Sequence, residues 1–301
     1  MLILSSTGFI GKNIKLYFEK KKYNIFCLNR TDVDFKNKEL LSDSIKNIDP
    51  EIVINCCGIV GSSIRNELLN EDDILNDNIL LNINILESCK NLNIKKIIMM
   101  SSYRVFGENV CENYDDDMIQ KSDIKYNIGY LTSKKVLDIQ IKLFMKICKI
   151  DVICLILTNI YGENDDFSID SRIVPSLITK IKKSCQDNTD IIINGNKNTL
   201  VNLVFIEDLS IIIENCIFNK NNDLSGNIIL FNKNGIISIE KLVDIICKIM
   251  NNKNSIKYTS EENINNKYIM KPNLDKFNKY FGDFEFHETE KTMELIIKSI
   301  E

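Results

Sequence analysis

Histidine is almost missing from this chain: its 301 residues include one, His287, and none of its ten cysteines forms a Cys-x-x-Cys pair. That scarcity argues against a zinc centre, which needs several imidazole or thiolate ligands at characteristic spacings. Cys27, Cys56, Cys57, Cys89, Cys111, Cys148, Cys154, Cys185, Cys216 and Cys247 sit mostly inside apolar runs and read as small hydrophobes in a reducing compartment. An excess of one charge is lacking too. With 38 basic and 42 acidic residues the formal charge is −4, and there is no basic tail to attract nucleic acid or an anionic membrane. The longest apolar runs are too short to cross a bilayer, and Met1 leads almost at once into a strand rather than through a basic, cleavable leader. The expectation is a soluble, cytoplasmic protein with no metal, nucleic-acid or membrane partner.

What is present is 44% hydrophobic residues, over a length that suits one large domain or two joined ones. Leu2-Ile3-Leu4, then Ser5-Ser6-Thr7-Gly8-Phe9-Ile10-Gly11, then residues 12–22 read as strand, tight turn and helix. In that context backbone N–H groups at a helix start can receive a pyrophosphate. Ser5 stands where the full fingerprint has its first glycine. Gly8 would let the backbone approach the phosphates, and Gly11 would let helix and strand pack closely. On this fragment alone, a strand–helix connection with two incidental glycines reads the same way.

Further strands are expected at 23–28, 51–58, 96–102 and 151–157, the last three apolar on both faces as buried parallel strands are. Helices fall between them, one around 74–92 carrying Asn78 and Asn82. The class is α/β, a Rossmann-like doubly wound parallel sheet. The second predicted strand ends at Asn29-Arg30, where an NAD-selective site would present an acid to the ribose 2′-hydroxyl; an arginine suits a 2′-phosphate. NADP(H) is favoured, although Asp32 and Asp34 nearby keep NAD open, and Asp34, followed by Phe35, is a candidate for the adenine side. After Gly162 the alternation weakens. Residues 1–165, with a returning segment about 200–235, form the dinucleotide-binding domain, and 166–301 form mainly a smaller α/β substrate lobe. That lobe should hold a helix at 176–185, strands at 190–194 and 200–205, helices at 207–218 and 239–250 (the latter capped by Ser238), and a tail over 258–286 made of a strand, a loop and a short helix.

Tyr130-Leu131-Thr132-Ser133-Lys134 opens a predicted helix between two of these strands, and residues four apart stack on one helix face. A phenol, with its pKa of about 10, is poorly matched to proton transfer at neutral pH. An ammonium about 4 Å away favours the phenolate by about 4 kcal/mol at an effective dielectric near 20. Tyr-x-x-x-Lys alone equally describes a snorkelling surface pair. Its position distinguishes it: ligands in such sheets lie outside the carboxyl ends of the strands, where Ser102 and Thr158-Asn159-Ile160-Tyr161-Gly162 also fall.

With these motifs in order, the whole chain resembles the extended short-chain dehydrogenase/reductase family, and within it the subgroup of GDP-L-fucose synthases. The resemblance is most distinctive in Val53-Ile54-Asn55 through Val60-Gly61, residues 78–86, Tyr130 to Lys134, and Thr158 to Pro175. It implies a catalytic group of Ser102, Tyr130 and Lys134. It also implies a cofactor shell of Ser6, Thr7, Gly8, Phe9, Ile10 and Gly11, then Arg30 and Asp34, Cys57 and Gly58, Asn78, Met100 and Ser101, and Leu157, Asn159 and Ile160. Arg104, Asn159, Arg172 and Lys180 would face a nucleotide-sugar substrate, and the protein would be a homodimer serving glycan synthesis.

Departures from the pattern bear on chemistry. The subgroup's Cys and His, which move protons at C3 and C5 of the sugar, align with Arg104 and Arg172. A guanidinium cannot strip a proton from carbon, so 3,5-epimerisation should be lost. Tyr103-Arg104 lacks the Asp-Glu pair or lone Glu of the 4,6-dehydratases. Where the subgroup has a pyrophosphate-binding arginine stand Leu200-Val201. Cys111 is a weak stand-in acid/base, and His287 reads as a surface or packing residue. The expected activity is an NADPH-dependent C4 reductase. A 3,5-epimerase/4-reductase, a 4-epimerase (from Ser101-Ser102-Tyr103-Arg104-Val105-Phe106-Gly107) and a cofactor-binding protein without chemistry stay open as alternatives.

Overall fold

The computed structural model describes residues 1–60, 70–107, 112–218, 223–260 and 271–300. In chain order the elements are β1 (Leu2–Leu4), α1 (Phe9–Lys20), β2 (Phe26–Leu28), α2 (Lys38–Ile48), β3 (Ile52–Asn55), α3 (Glu71–Cys89), β4 (Lys96–Ser102), β5 (Glu112–Tyr114), α4 (Ile128–Ile147), β6 (Asp151–Leu157) and β7 (Asn159–Tyr161). They continue as α5 (Ile173–Asp187), β8 (Ile191–Ile193), β9 (Leu200–Phe205), α6 (Ile206–Phe218), β10 (Gly226–Ile229), β11 (Ile236–Ser238), α7 (Ile239–Ile249), β12 (Ile256–Tyr258), β13 (Lys271–Pro272), α8 (Asp275–Phe281) and α9 (Thr289–Ile300).

The central sheet is six-stranded and parallel, in the order β10-β6-β4-β3-β1-β2. The middles of β1, β3, β4 and β6 are apolar at successive positions because successive side chains point to opposite faces and both faces are covered. Leu2, Leu4, Val53, Ile97, Met99, Val152 and Cys154 enter the core shared with Leu41 of α2, Leu81 of α3 and Leu137 of α4. Their neighbours Ile3, Ile54, Ile98, Ile153 and Leu155 enter the other core, with Ile14 and Phe18 of α1 and Leu209 of α6. The chain leaves β1 toward β2 and returns to the opposite side of β1 as β3. The carboxyl ends of β1 and β3 therefore flank the crevice where such sheets bind ligands.

Beyond β6 lies the smaller sheet β11-β9-β7, with pairs β12-β8 and β13-β5. Half-buried Asn159 and buried Asn202 and Asn232 stitch it together. Asn159 Nδ2 donates to Asn202 O (3.1 Å), Asn202 Nδ2 to Asn232 O (2.6 Å), and Asn232 Nδ2 to Leu203 O (3.2 Å). Local signals placed β9 at its observed bounds, and Ser238 Oγ accepts Lys241 N–H at 3.1 Å as the cap of α7. Other elements differ. β2 is only three residues, with Phe26 44% exposed at the sheet edge, because one of its sides has no partner strand. α3 starts three residues earlier than expected, at the Asn70 cap. Cys185 is exposed rather than buried.

α9 was not foreseen, although Met293, Ile296 and Ile297 have helical spacing and are buried. The chain before it is tied down through His287, whose backbone N–H and Nδ1 both reach the fully buried Asp208, Nδ1 at 2.6 Å from Oδ1. Burial pushes the Asp208 carboxyl up, opposed by its bonds to His287. Tyr161 OH and Thr292 Oγ1, 2.6 Å apart, join β7 to α9. His287→Ala strips the ring from a buried carboxylate and should lower stability by about 1–3 kcal/mol, read by calorimetry as a lower thermal midpoint.

Candidate active site

The turn after β1 is built by close contact. Ser5 takes the left-handed conformation (φ 62°) that its glycine counterpart would adopt without strain, and its N–H donates to Leu28 O at 2.7 Å. A Cβ on Gly11 would meet Ser5 O at 2.2 Å, so α1 can sit on the turn only with glycine there. Gly8 differs: a Cβ there comes no nearer than 3.9 Å to any protein atom. The space in front of that backbone is open, with room for a group approaching from outside. Gly8 caps α1 without a side-chain hydrogen bond and the first turn carries no acid, so the helix-start amides are free for an anion. Thr7 and Gly8 are exposed, Phe9 and Ile10 half-buried, and Ser6 is buried with its Oγ donating to Asn29 Oδ1 at 3.1 Å.

Arg30 is exposed just past β2, with Nη2 3.9 Å from Cys57 Sγ. Burial pushes the Cys57 thiol up against the pull of that guanidinium. Asp32 accepts Asn29 N–H at 2.8 Å and Asp34 accepts Lys36 N–H at 2.9 Å, so both nearby acids cap local turns. Phe35 lies in the core at 1% exposure, not on the cofactor surface, because its side chain points inward from the turn that feeds α2.

Four elements meet at Lys134, which is 6% exposed in the second turn of α4. Its Nζ donates to Met100 O of β4 at 3.0 Å, lies 5.6 Å from the Tyr130 ring centroid, and would be 3.7 Å from a Cβ on Gly58 after β3. From α3, Asn78 clamps Ile59: Oδ1 accepts its N–H at 2.8 Å and Nδ2 donates to its carbonyl at 2.9 Å. An ammonium has three donors, and Met100 O is its one hydrogen-bond acceptor among the described residues. A buried cation with donors to spare fits a hydroxyl-bearing ligand in the crevice. Ser101 is buried; Ser102 ends β4 half-buried, its Oγ accepting Arg104 N–H at 3.3 Å. Ser102 and Tyr130 share no hydrogen bond. Leu157 and Ile160 are buried, and between them Thr158 Oγ1 is buried without a partner.

The expected substrate residues are less tightly grouped. Arg104 is exposed, and Asn159 gives its amide to the neighbouring strand. Lys180 of α5 is half-buried and has no partner among the described residues. Arg172 is held firmly: it pairs with Asp165 and its guanidinium carbon lies 4.3 Å from the Phe9 ring centroid, at the start of α1. Burial raises the Asp165 carboxyl, opposed by Arg172, and Asp165 Oδ2 is buried without a partner. Asp165 escaped sequence reading, though it lies three residues past Gly162. Cys111 lies outside the described residues.

A parallel sheet with a glycine turn at its switch point, and Tyr and Lys one turn apart beside it, defines a dinucleotide-binding oxidoreductase fold. The profile of the NAD dependent epimerase/dehydratase family matches residues 1–229, and the chain belongs to that family. It is 25% identical over 215 residues to the GDP-L-fucose synthase of Dictyostelium discoideum, covering 70% of this chain and 67% of that protein. It is 23% identical over 217 residues to the GDP-L-colitose synthase of Yersinia pseudotuberculosis, covering 70% and 69%. In fold it is similar to the NADP-bound GDP-L-fucose synthetase of Naegleria fowleri, with a TM-score of 0.87, 20% identity, and 99% and 91% of the two chains covered. It is also similar to the GDP-mannoheptose C4 reductase of Campylobacter jejuni with NADP bound, at 0.85, 15%, 99% and 97%. No helix among the described residues is long and apolar enough to cross a membrane.

Two substitutions test this assembly. Lys134→Met replaces a buried charge by an apolar side chain of similar length; the thermal midpoint should hold or rise, while NAD(P)H affinity in fluorescence titration falls roughly tenfold to a hundredfold. Gly11→Ala should cost about 1–3 kcal/mol of stability, because backbone rather than a flexible side chain has to give way.

Proposed function

We propose that the protein is an NADPH-dependent reductase acting at C4 of a nucleotide-activated 4-keto sugar, GDP-linked, without 3,5-epimerase activity. The observation that carries this reading is the pairing of a Tyr130/Lys134 group at the crevice with arginines at both positions where the epimerising subgroup has Cys and His. NADPH, when bound, supplies a hydride. Tyr130 gives its phenolic proton to the C4 oxygen as that oxygen gains charge, Ser102 donates a hydrogen bond to the same oxygen, and Lys134 binds the ribose hydroxyls with its spare donors. Arg30 takes the 2′-phosphate; Asp32, already used by Asn29, does not compete for it.

Arg172 cannot act as a base on a C–H bond, and its contacts with Asp165 and Phe9 orient it as a fixed donor for substrate oxygens. Lys180, unpaired among the described residues, is the second cation for the diphosphate. Similarity to a GDP-L-fucose synthase and a GDP-L-colitose synthase supports a GDP-linked sugar. Exposed Leu80 and Ile83 on α3, with Ile139 and Leu143 on α4, supply apolar surface for a homodimer.

Tyr130→Phe should lower turnover by about 10²–10⁴-fold with NADPH still bound. Turnover in D₂O should place no deuterium at C3 or C5, whereas incorporation there would mean a working epimerase. One NADPH should be oxidised per product, against none for a 4-epimerase. Arg30→Ala should erase most of the preference for NADPH over NADH, measured as the ratio of the two kcat/KM values.

A further inference from the structure

Glu71, the first residue of α3, carries no motif, yet it touches the start of the helix that bears Tyr130. Its Oε2 accepts the Gly129 N–H at 2.8 Å, and a Cβ on Gly129 would come within 2.1 Å of Glu71 O. The first turn of α4 therefore rests directly on the first residue of α3. Gly129 is the second residue of α4, where the amide has no acceptor inside the helix, and the Asn127 side chain does not cap that helix. A carboxylate there satisfies the orphan donor and meets the positive end of the helix. Tyr130 is the next residue. Asp72 and Asp73, in the same turn of α3, are exposed; Glu71 is the one of the three whose carboxylate reaches α4.

Seven residues separate Glu71 from Asn78, two turns that return to nearly the same helix face. Asn78 clamps Ile59, beside Gly58 and Lys134. One face of α3 thus holds both the segment after β3 and the start of α4. It sets the separation between the crevice floor and the phenol.

We infer that Glu71 is a positioning residue: its carboxylate fixes the first turn of α4 so that Tyr130 stands at the correct height over the reacting carbonyl. This rests on the reading of Tyr130 as the proton donor. A contact that served stability alone would, when removed, leave turnover per folded molecule unchanged.

The test uses the full chain with NADPH and a GDP-4-keto-6-deoxyhexose, comparing Glu71→Ala with Glu71→Gln, whose amide oxygen can still accept from Gly129. Glu71→Ala should lower kcat roughly tenfold to a hundredfold, with KM and NADPH affinity within about threefold of wild type; Glu71→Gln should recover most of the loss. Amide hydrogen exchange over residues 127–134 should speed up in the Ala variant and stay near wild type in the Gln variant. Unchanged kcat in a folded Ala variant, or equal losses in both variants together with lost NADPH binding, would overturn the assignment. Absence of turnover in the wild type would instead overturn the reading of the reaction, and the exchange measurement would still decide whether Glu71 holds the helix.

Discussion

A single ammonium at the floor of the crevice constrains the rest of the molecule. Lys134 is nearly sealed from solvent, and moving such a charge out of water costs several kcal/mol unless hydrogen bonds replace the lost hydration. Its protein acceptor is a strand carbonyl, Met100 O, so α4 has to cross β4 at one height and one rotation. Gly58 lies opposite, and the segment after β3 stays where Asn78 holds it. The end of β4 and the second turn of α4 are tied together by giving one cation a dry but bonded place. Among the described residues Met100 O is its one acceptor, so donors are left over for a ligand.

The turn after β1 shows the same economy in backbone terms. The chain accepts a strained Ser5 and an unsubstituted Gly11 to bring α1 down on the strand end, leaving amides without caps. Those amides lie beside the place where Arg172, the cap of α5, stacks on Phe9. Asn13 Nδ2, from the first turns of α1, also donates to Glu163 O at 2.8 Å. The start of α1 is therefore joined to the segment between β7 and α5. A guanidinium in that place can donate hydrogen bonds but cannot take a proton from carbon.

Much of this was legible in local order. The alternation of Leu2, Ile3 and Leu4 between two cores, the spacing of Tyr130 and Lys134 on α4, and Ser238 capping α7 follow from periods and caps spanning a few residues. The contacts that tune the site are of another kind. Glu71 reaches Gly129 across 58 positions, His287 reaches Asp208 across 79, and Asn202 bonds Asn232 across 30. No period links such pairs. Each depends on how a helix is rotated or how a strand is registered, which is why Phe35 was assigned to the cofactor and proves to be core.

The amino-acid sequence by itself determined the α/β class, the glycine turn, and a Tyr and Lys on one face of a helix, because backbone sterics and apolar periodicity act between near neighbours. Only the tertiary structure decided that the lysine is buried with donors to spare, that Arg172 is tied to Asp165 and Phe9, and that α4 begins against Glu71. Those outcomes come from the packing of distant elements, where sub-ångström fit and the exclusion of water set which polar atoms meet.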